Sequence, residues 1–279
     1  MHSPLDNTYP GVHFPSGQTD PWDASHQPQT PLPRRVPNSP QLRLYHEVYY
    51  GGWPVSQQPE YGGLVENYLH RSWEVIANAL TDYPRVFAVR VDLRYPQSWP
   101  REWCTDNHCL KRFFESLQRE LDNAGLKYPT RLHYIWAREQ DRSPRPHYHL
   151  LLMLNQDAIS QIGTYMPCQI GGYHRHNLFH RIARAWCYAL GLDNDDQAEG
   201  LVHYAVSRQY DTDSPYGCDD PAHGMVTDHD SGQFRISRNG DGYELARLYF
   251  RASYLCKAYS KRFGEGNHCF GSSRRRRSG

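Results

Sequence analysis

No stretch of this chain holds the roughly 18 consecutive apolar residues that a membrane-crossing helix needs, so no membrane partner is expected. The first residues, "MHSPLDNTYPGVHFP", do not join a basic stretch to an apolar one as a secretory signal would. An excess of one charge is lacking too. Lys and Arg number 31 against 30 Asp and Glu, so any affinity for a polyanion must come from local clusters. The seven cysteines, Cys104, Cys109, Cys168, Cys187, Cys218, Cys256 and Cys269, are odd in number and irregularly spaced. A chain of this length does not need disulfide staples, which predicts free thiols in a reducing, cytoplasmic setting.

What is present divides the chain. Residues 1–40 are rich in Pro, Ser, Gln, Asn and Asp without periodicity, which predicts a disordered leader. Residues 41–80 form an N-terminal extension whose apolar positions Leu64, Tyr68, Val75, Ile76 and Ala79 have a helical rhythm ending before Pro84. In "RVFAVRVDLRYP", Phe87, Val89, Val91 and Leu93 alternate with Arg90, Asp92 and Arg94, as in a half-buried strand. A helix follows with Leu110, Phe113, Phe114, Leu117 and Leu121 on one stripe. "RLHYIWARE" and "HYHLLLML" flank a Pro-containing loop and predict a hairpin. A helix over "NLFHRIARAWCYALG", two short strands, "LVHYAVS" and "FRIS", and a last helix from Tyr243 to about Arg262 complete the order. This order predicts an α+β domain over residues 81–273, a central antiparallel sheet with helices packed on one face, and a basic tail at 274–279.

His147 and His149 stand one residue apart in the second hairpin strand. In a strand they share a face, while Tyr148, Leu150, Leu152 and Leu154 point to the core. Two adjacent imidazoles suit metal ligation, and if Glu139 pairs with His147 across the hairpin, its carboxylate joins them on the same face. Two nitrogens and a carboxylate leave room for water and a phosphate oxygen, which suits Mg²⁺ or Mn²⁺, although imidazole also suits Zn²⁺. Spacing alone leaves open a pair of solvent-facing histidines. Three weaker candidates are His174 with His176, next to a Gly-Gly loop, the Cys104, His108 and Cys109 group, which has no second cluster at zinc-finger spacing, and His203, expected to be structural.

In "GYELARLYFRASYLCKAYSKRF" the apolar stripe is Leu245, Leu248, Tyr249, Ala252, Cys256 and Tyr259. At about 100° per residue, Arg247, Phe250, Tyr254, Lys257 and Lys261 fall on the opposite side. A tyrosine one turn from a lysine is what attack on a phosphodiester needs: the phenol oxygen attacks phosphorus and the ammonium stabilises negative charge. A solvent-facing Tyr and Lys pair is the plain alternative.

In their order along the chain, "FAVRVDLRYP", "YIWAREQDRSPRPHYHLLLMLN" and "RASYLCKAYSKRFGEGNHCFGSSR" resemble the motifs of the HUH endonuclease superfamily. Among its members the resemblance is to single-tyrosine rolling-circle replication initiators of filamentous-phage and YagK/YfjJ prophage type. It implies a divalent metal, Mg or Mn, held by His147, His149 and Glu139. It also implies Tyr254 attacking single-stranded DNA or an origin hairpin, which leaves a 5′-phosphotyrosine link and a free 3′-OH, with Lys257 assisting. Cys256 stands where a small residue is usual. No helicase motif is visible, so a host helicase and polymerase are the implied partners. DNA contacts are expected from Arg90 and Arg94 on the polar strand face, Arg142 and Arg145 in the hairpin loop, Lys261 on the Tyr254 side of its helix, and the basic tail. A relaxase or transposase of the same chemistry, and a DNA-binding regulator that does not cleave, are the rival readings.

Overall fold

The computed structural model describes residues 32–58, 61–140, 145–169, 171–204 and 232–274. Short strands come first: β1 (Arg35–Val36), β2 (Ser39–Tyr45), β3 (Tyr49–Tyr50), β4 (Trp53–Pro54) and β5 (Leu64–Val65). They lead into helix α1 (Glu66–Asp82), strand β6 (Arg85–Arg94) and helix α2 (His108–Asp122). The hairpin strands are β7 (His133–Glu139) and β8 (His147–Asn155), followed by α3 (Leu178–Leu190) and β9 (Val202–Tyr204). Strand β10 (Gln233–Ser237), helix α4 (Tyr243–Tyr254) and strand β11 (Phe270–Ser272) close the described chain.

The central sheet runs β10-β6-β8-β7-β11, with β9 pairing β6 beyond the end of β10, and every pairing in it is antiparallel. Tight packing explains one glycine. A Cβ on Gly271 would lie 2.6 Å from the Trp136 indole it crosses, so a larger residue in β11 would push that strand off β7.

Helices cover both faces of the sheet, not one. Phe87, Val89, Val91 and Leu93 with Tyr148, Leu150, Leu152 and Leu154 pack against α2 and α3, as the alternation predicts. Val86, Ala88, Leu151, Met153, Ile135 and Ala137 form a second core with α1 and α4. The sequence reading missed this second core because it treated the Arg90, Asp92 and Arg94 side of β6 as polar along its whole length. Val86 and Ala88 continue that side as apolar surface. The second face is therefore apolar at one end and polar at the other.

Two further expectations change. Among the described residues, regular structure is present from Arg35, inside the segment expected to be disordered up to residue 40, and strands precede the helix of the extension. The extension packs on the sheet through α1. The last helix ends at Tyr254 rather than near Arg262. Beyond it the backbone leaves the helix to pair with the extension: Lys257 bridges Leu64, Val65 N–H donates to the Cys256 carbonyl at 2.8 Å, and Ala258 N–H donates to the Gly63 carbonyl at 2.9 Å. Cys256 remains buried as the stripe predicts, whereas Tyr259 is exposed. No helix among the described residues is long and apolar enough to cross a membrane.

Candidate metal centre and its tyrosine

The polar end of the second sheet face gathers the site. Antiparallel register sets Glu139 opposite His147 and Asp92 opposite His149, so residues from three adjacent strands share one face there. The two histidine Nε2 atoms converge to 3.1 Å, and a Glu139 oxygen lies 3.4 Å from that of His149. Ligand atoms of Glu139, His147 and His149 all fall within 4.8 Å of one another, the one such cluster among the described residues. Two borderline nitrogens and one hard carboxylate, all aimed at a common point, fit a divalent cation. Cys104 with its neighbours and His174 with His176 make no such cluster, and His203 Nε2 is engaged by the Gly200 carbonyl at 2.8 Å.

Surrounding groups set the protonation of this trio. Burial, together with His149, pushes His147 down to about 4, which leaves it neutral near pH 7. Burial opposes charge on His149, but Asp92 and Glu139 raise its pKa. His149 Nδ1–H donates to Asp92 at 2.6 Å, which turns Nε2 toward Glu139 and His147, where it offers a lone pair to a cation once it gives up its proton. Desolvation opposes the charge on half-buried Asp92 as well, yet His149 and Arg90 hold it at about 2. Burial also works against the Glu139 charge, and Lys261, His149 and Lys257 overcome it, keeping this carboxyl well below the usual range. Lys261 donates to Glu139 at 3.2 Å and to the Lys257 carbonyl at 2.7 Å; burial lowers its pKa despite Glu139.

Tyr254, the last residue of α4, meets this cluster. Its ring is 6.0 Å from the His149 ring, with the Arg90 guanidinium 5.1 Å above it and the Tyr61 ring edge-on at 5.7 Å. Lys257 Nζ donates to the Tyr254 hydroxyl at 2.5 Å and pairs with Glu139 at 3.1 Å. One ammonium thus joins the phenol to a candidate metal ligand. The extension places this turn through its backbone pairing with residues 256–258 and through a bond from Ser56 N–H to Ser253 Oγ at 2.7 Å.

The expected DNA-contacting residues divide. Arg90 and Lys261 are buried within the cluster, whereas Arg94 is exposed and opposes His147 in register. Arg145 is half-buried and donates to the Trp99 carbonyl at 2.7 Å. Arg142 and residues 275–279 lie outside the described residues, as do residues 1–31. Sequence reasoning missed Asp92, Tyr61 and Ser260, whose hydroxyl donates to Glu139 at 2.8 Å. Asp92 had a signal, an acid between two arginines, but its partner depends on a long-range strand pairing.

A family model described as the YagK/YfjJ C-terminal domain matches residues 55–215, a span that includes Glu139, His147 and His149 and stops before Tyr254. The chain is 33% identical to "Uncharacterized protein YagK" of Escherichia coli (strain K12) over 208 residues, 68% of this chain and 84% of that protein. It is 27% identical to "Uncharacterized protein YfjJ" of the same organism over 242 residues, 79% of this chain and 100% of that protein. No solved structure matches.

Proposed function

Since this chain belongs to the YagK/YfjJ C-terminal domain family, we propose that it nicks and rejoins single-stranded DNA with Tyr254 as nucleophile, and so starts rolling-circle replication of a phage- or prophage-type element. The observation that carries this reading is the Lys257 ammonium, held at once by the Tyr254 hydroxyl and by Glu139.

In this mechanism Tyr254 oxygen attacks the scissile phosphorus, the bond to the 3′ oxygen breaks, and a 5′-phosphotyrosine link and a 3′-OH result. Lys257 stabilises the charge on the attacking oxygen and the phosphate. A divalent ion, Mg²⁺ or Mn²⁺, held by Glu139, His147 and His149, would polarise the phosphate. Asp92 holds His149 in the ligating tautomer, and Lys261 compensates the buried charge of Glu139. Arg90, Tyr61 and the pairing of residues 63–65 with 256–258 keep the nucleophile over the metal ligands. A host helicase would open the duplex and a host polymerase would extend the 3′-OH.

The test mixes the protein with labelled single-stranded origin DNA and Mg²⁺ or Mn²⁺ and resolves covalent adducts on a denaturing gel. A band present in the wild type, removed by EDTA and lost in Tyr254→Phe and His149→Ala is the expected result. Persistence of the band in Tyr254→Phe would move the nucleophile elsewhere. Absence of any adduct with every origin-derived strand would leave a DNA-binding protein that does not cleave.

A further inference from the structure

Between β6 and α2 the chain makes a short loop, residues 95–107, with one helical turn at Arg101–Cys104. Its Trp103 is 62% exposed, an unusual position for so large an apolar surface. Single exposed apolar residues are ordinary on protein surfaces, so exposure alone means little. What distinguishes Trp103 is how firmly and where it is held.

Its indole stands edge-on against Trp99 at 5.5 Å; Trp99 in turn packs on buried Tyr95 at 6.0 Å, and Tyr95 on buried Trp186 at 5.7 Å. The backbone of the loop is clamped by side chains from the strands of the metal centre. Arg138, next to Glu139, donates to the Cys104 carbonyl at 2.8 Å and the Thr105 carbonyl at 3.3 Å. Arg145, two residues before His147, donates twice to the Trp99 carbonyl, at 3.0 and 2.7 Å. Tyr148, between the two histidines, donates to the Asp106 carbonyl at 3.1 Å. Arg138 and Tyr148 alternate with the ligands along their strands, so the loop is a ledge at the ligand-bearing end of the sheet, on its α2/α3 side, and a DNA strand reaching Tyr254 would cross that end to meet it.

The neighbours of Trp103 decide what it suits. Half-buried Trp99 and exposed Pro100 flank it, but Arg101, Glu102, Thr105, Asp106 and His108 are exposed and polar, so the apolar surface is a small island rather than the broad patch that a protein interface would need. A flat aromatic ring held rigid in a polar setting suits another flat ring, because stacking tolerates any base and little ordering entropy is lost. We propose that Trp103 is the stacking platform for an unpaired nucleobase of the single strand that reaches Tyr254. This inference rests on the nucleic-acid reading above and adds to it the requirement for an unstacked base.

The test measures binding of a short fluorescent single strand by anisotropy, with EDTA present so that no strand is cut. Trp103→Ala is expected to weaken binding about tenfold, equivalent to about 1.4 kcal/mol, while Trp103→Phe retains most of the affinity. Binding of duplex DNA of the same sequence should not change, and an abasic site at one position of the single strand should erase the difference between wild type and Trp103→Ala. Equal losses for single-stranded and duplex DNA, or none, would overturn the inference, as would loss of self-association in Trp103→Ala with DNA affinity intact. The two readings fail separately. A Trp103-dependent single-strand affinity without any covalent adduct would sink the nicking reaction and keep the platform, whereas an adduct with Trp103-independent affinity would do the reverse.

Discussion

At the scale of single residues, the site depends on groups that touch no substrate. Asp92 accepts the Nδ1 proton of His149, and without it the imidazole is free to rotate or to carry its proton on the ligating nitrogen. Asp92→Asn is expected to reduce affinity for Mn²⁺ by about 10–100-fold, the usual effect of losing such a partner. Calorimetric titration with Mn²⁺ checks this, with thermal unfolding as a control for the fold, and unchanged affinity would remove Asp92 from the metal centre. Glu139 was readable from the sequence because the strand pairing that sets it opposite His147 is local, with the two residues only eight positions apart. Asp92 was not, because its pairing joins β6 to β8 across 57 residues of chain. Arg90 and Lys261 illustrate the same limit. Each is a cation on a polar face by periodicity, and only tertiary packing reveals that both are buried against the acids Asp92 and Glu139.

At the scale of elements, the periodic segments were legible and their ends were not. The stripes of α1, α2, α3 and α4 follow from apolar spacing, and α3 also shows its limits, with Asn177 capping His180 N–H at 2.9 Å and Gly191 at φ +71° closing it. Helix α4 has no such stop. Its pattern runs on past Tyr254, and it ends because residues 256–258 gain backbone partners from the extension, which no local signal announces. The same pairing makes Gly63 a sensitive position. It adopts φ +91°, and a Cβ there would lie 2.7 Å from the His46 imidazole. Gly63→Ala should cost about 1–2 kcal/mol through left-handed backbone strain and contact, or roughly 2–8 °C in Tm for a chain of this size. Adduct formation should fall further than the folded fraction explains, since Gly63 lies beside the turn that carries Lys257. A variant with unchanged Tm and full adduct yield would show that the pairing does not govern the site.

At the scale of the whole molecule, the sheet separates two cores, and ionic contacts at their edges give the protein a direction of pH sensitivity. Glu120 of α2 meets Arg181 and Arg184 of α3; burial opposes its charge, but the arginines hold its carboxyl below the usual range. The unfolded chain therefore takes up this proton at a higher pH than the folded one. The contribution is whole above the ordinary carboxylate pKa and is lost as the pH falls through the folded value. His133 acts in the same direction: burial lowers its pKa against the pull of Asp82, so the unfolded state binds the proton first once the pH drops below about 6.5. Below pH 6.5 the contribution of His149, whose folded pKa is raised, is already complete, so calorimetry from pH 6.5 to pH 4 should show Tm falling, and Glu120→Gln should be less stable at pH 7 with a shallower acid limb. A Tm that rises toward pH 4 would contradict this assignment.

The extension and Tyr254 lie at opposite ends of the described chain, with Ser56 and Ser253 separated by 197 residues. Contacts so distant in sequence form late, after the intervening sheet exists to bring them together. A ribosome must therefore have synthesised both residues 56–65 and residues 253–258, with all that lies between, before Tyr254 can take its place beside the histidines. If Tyr254 cuts DNA as proposed, a nascent chain would gain that ability only after both segments have emerged and paired.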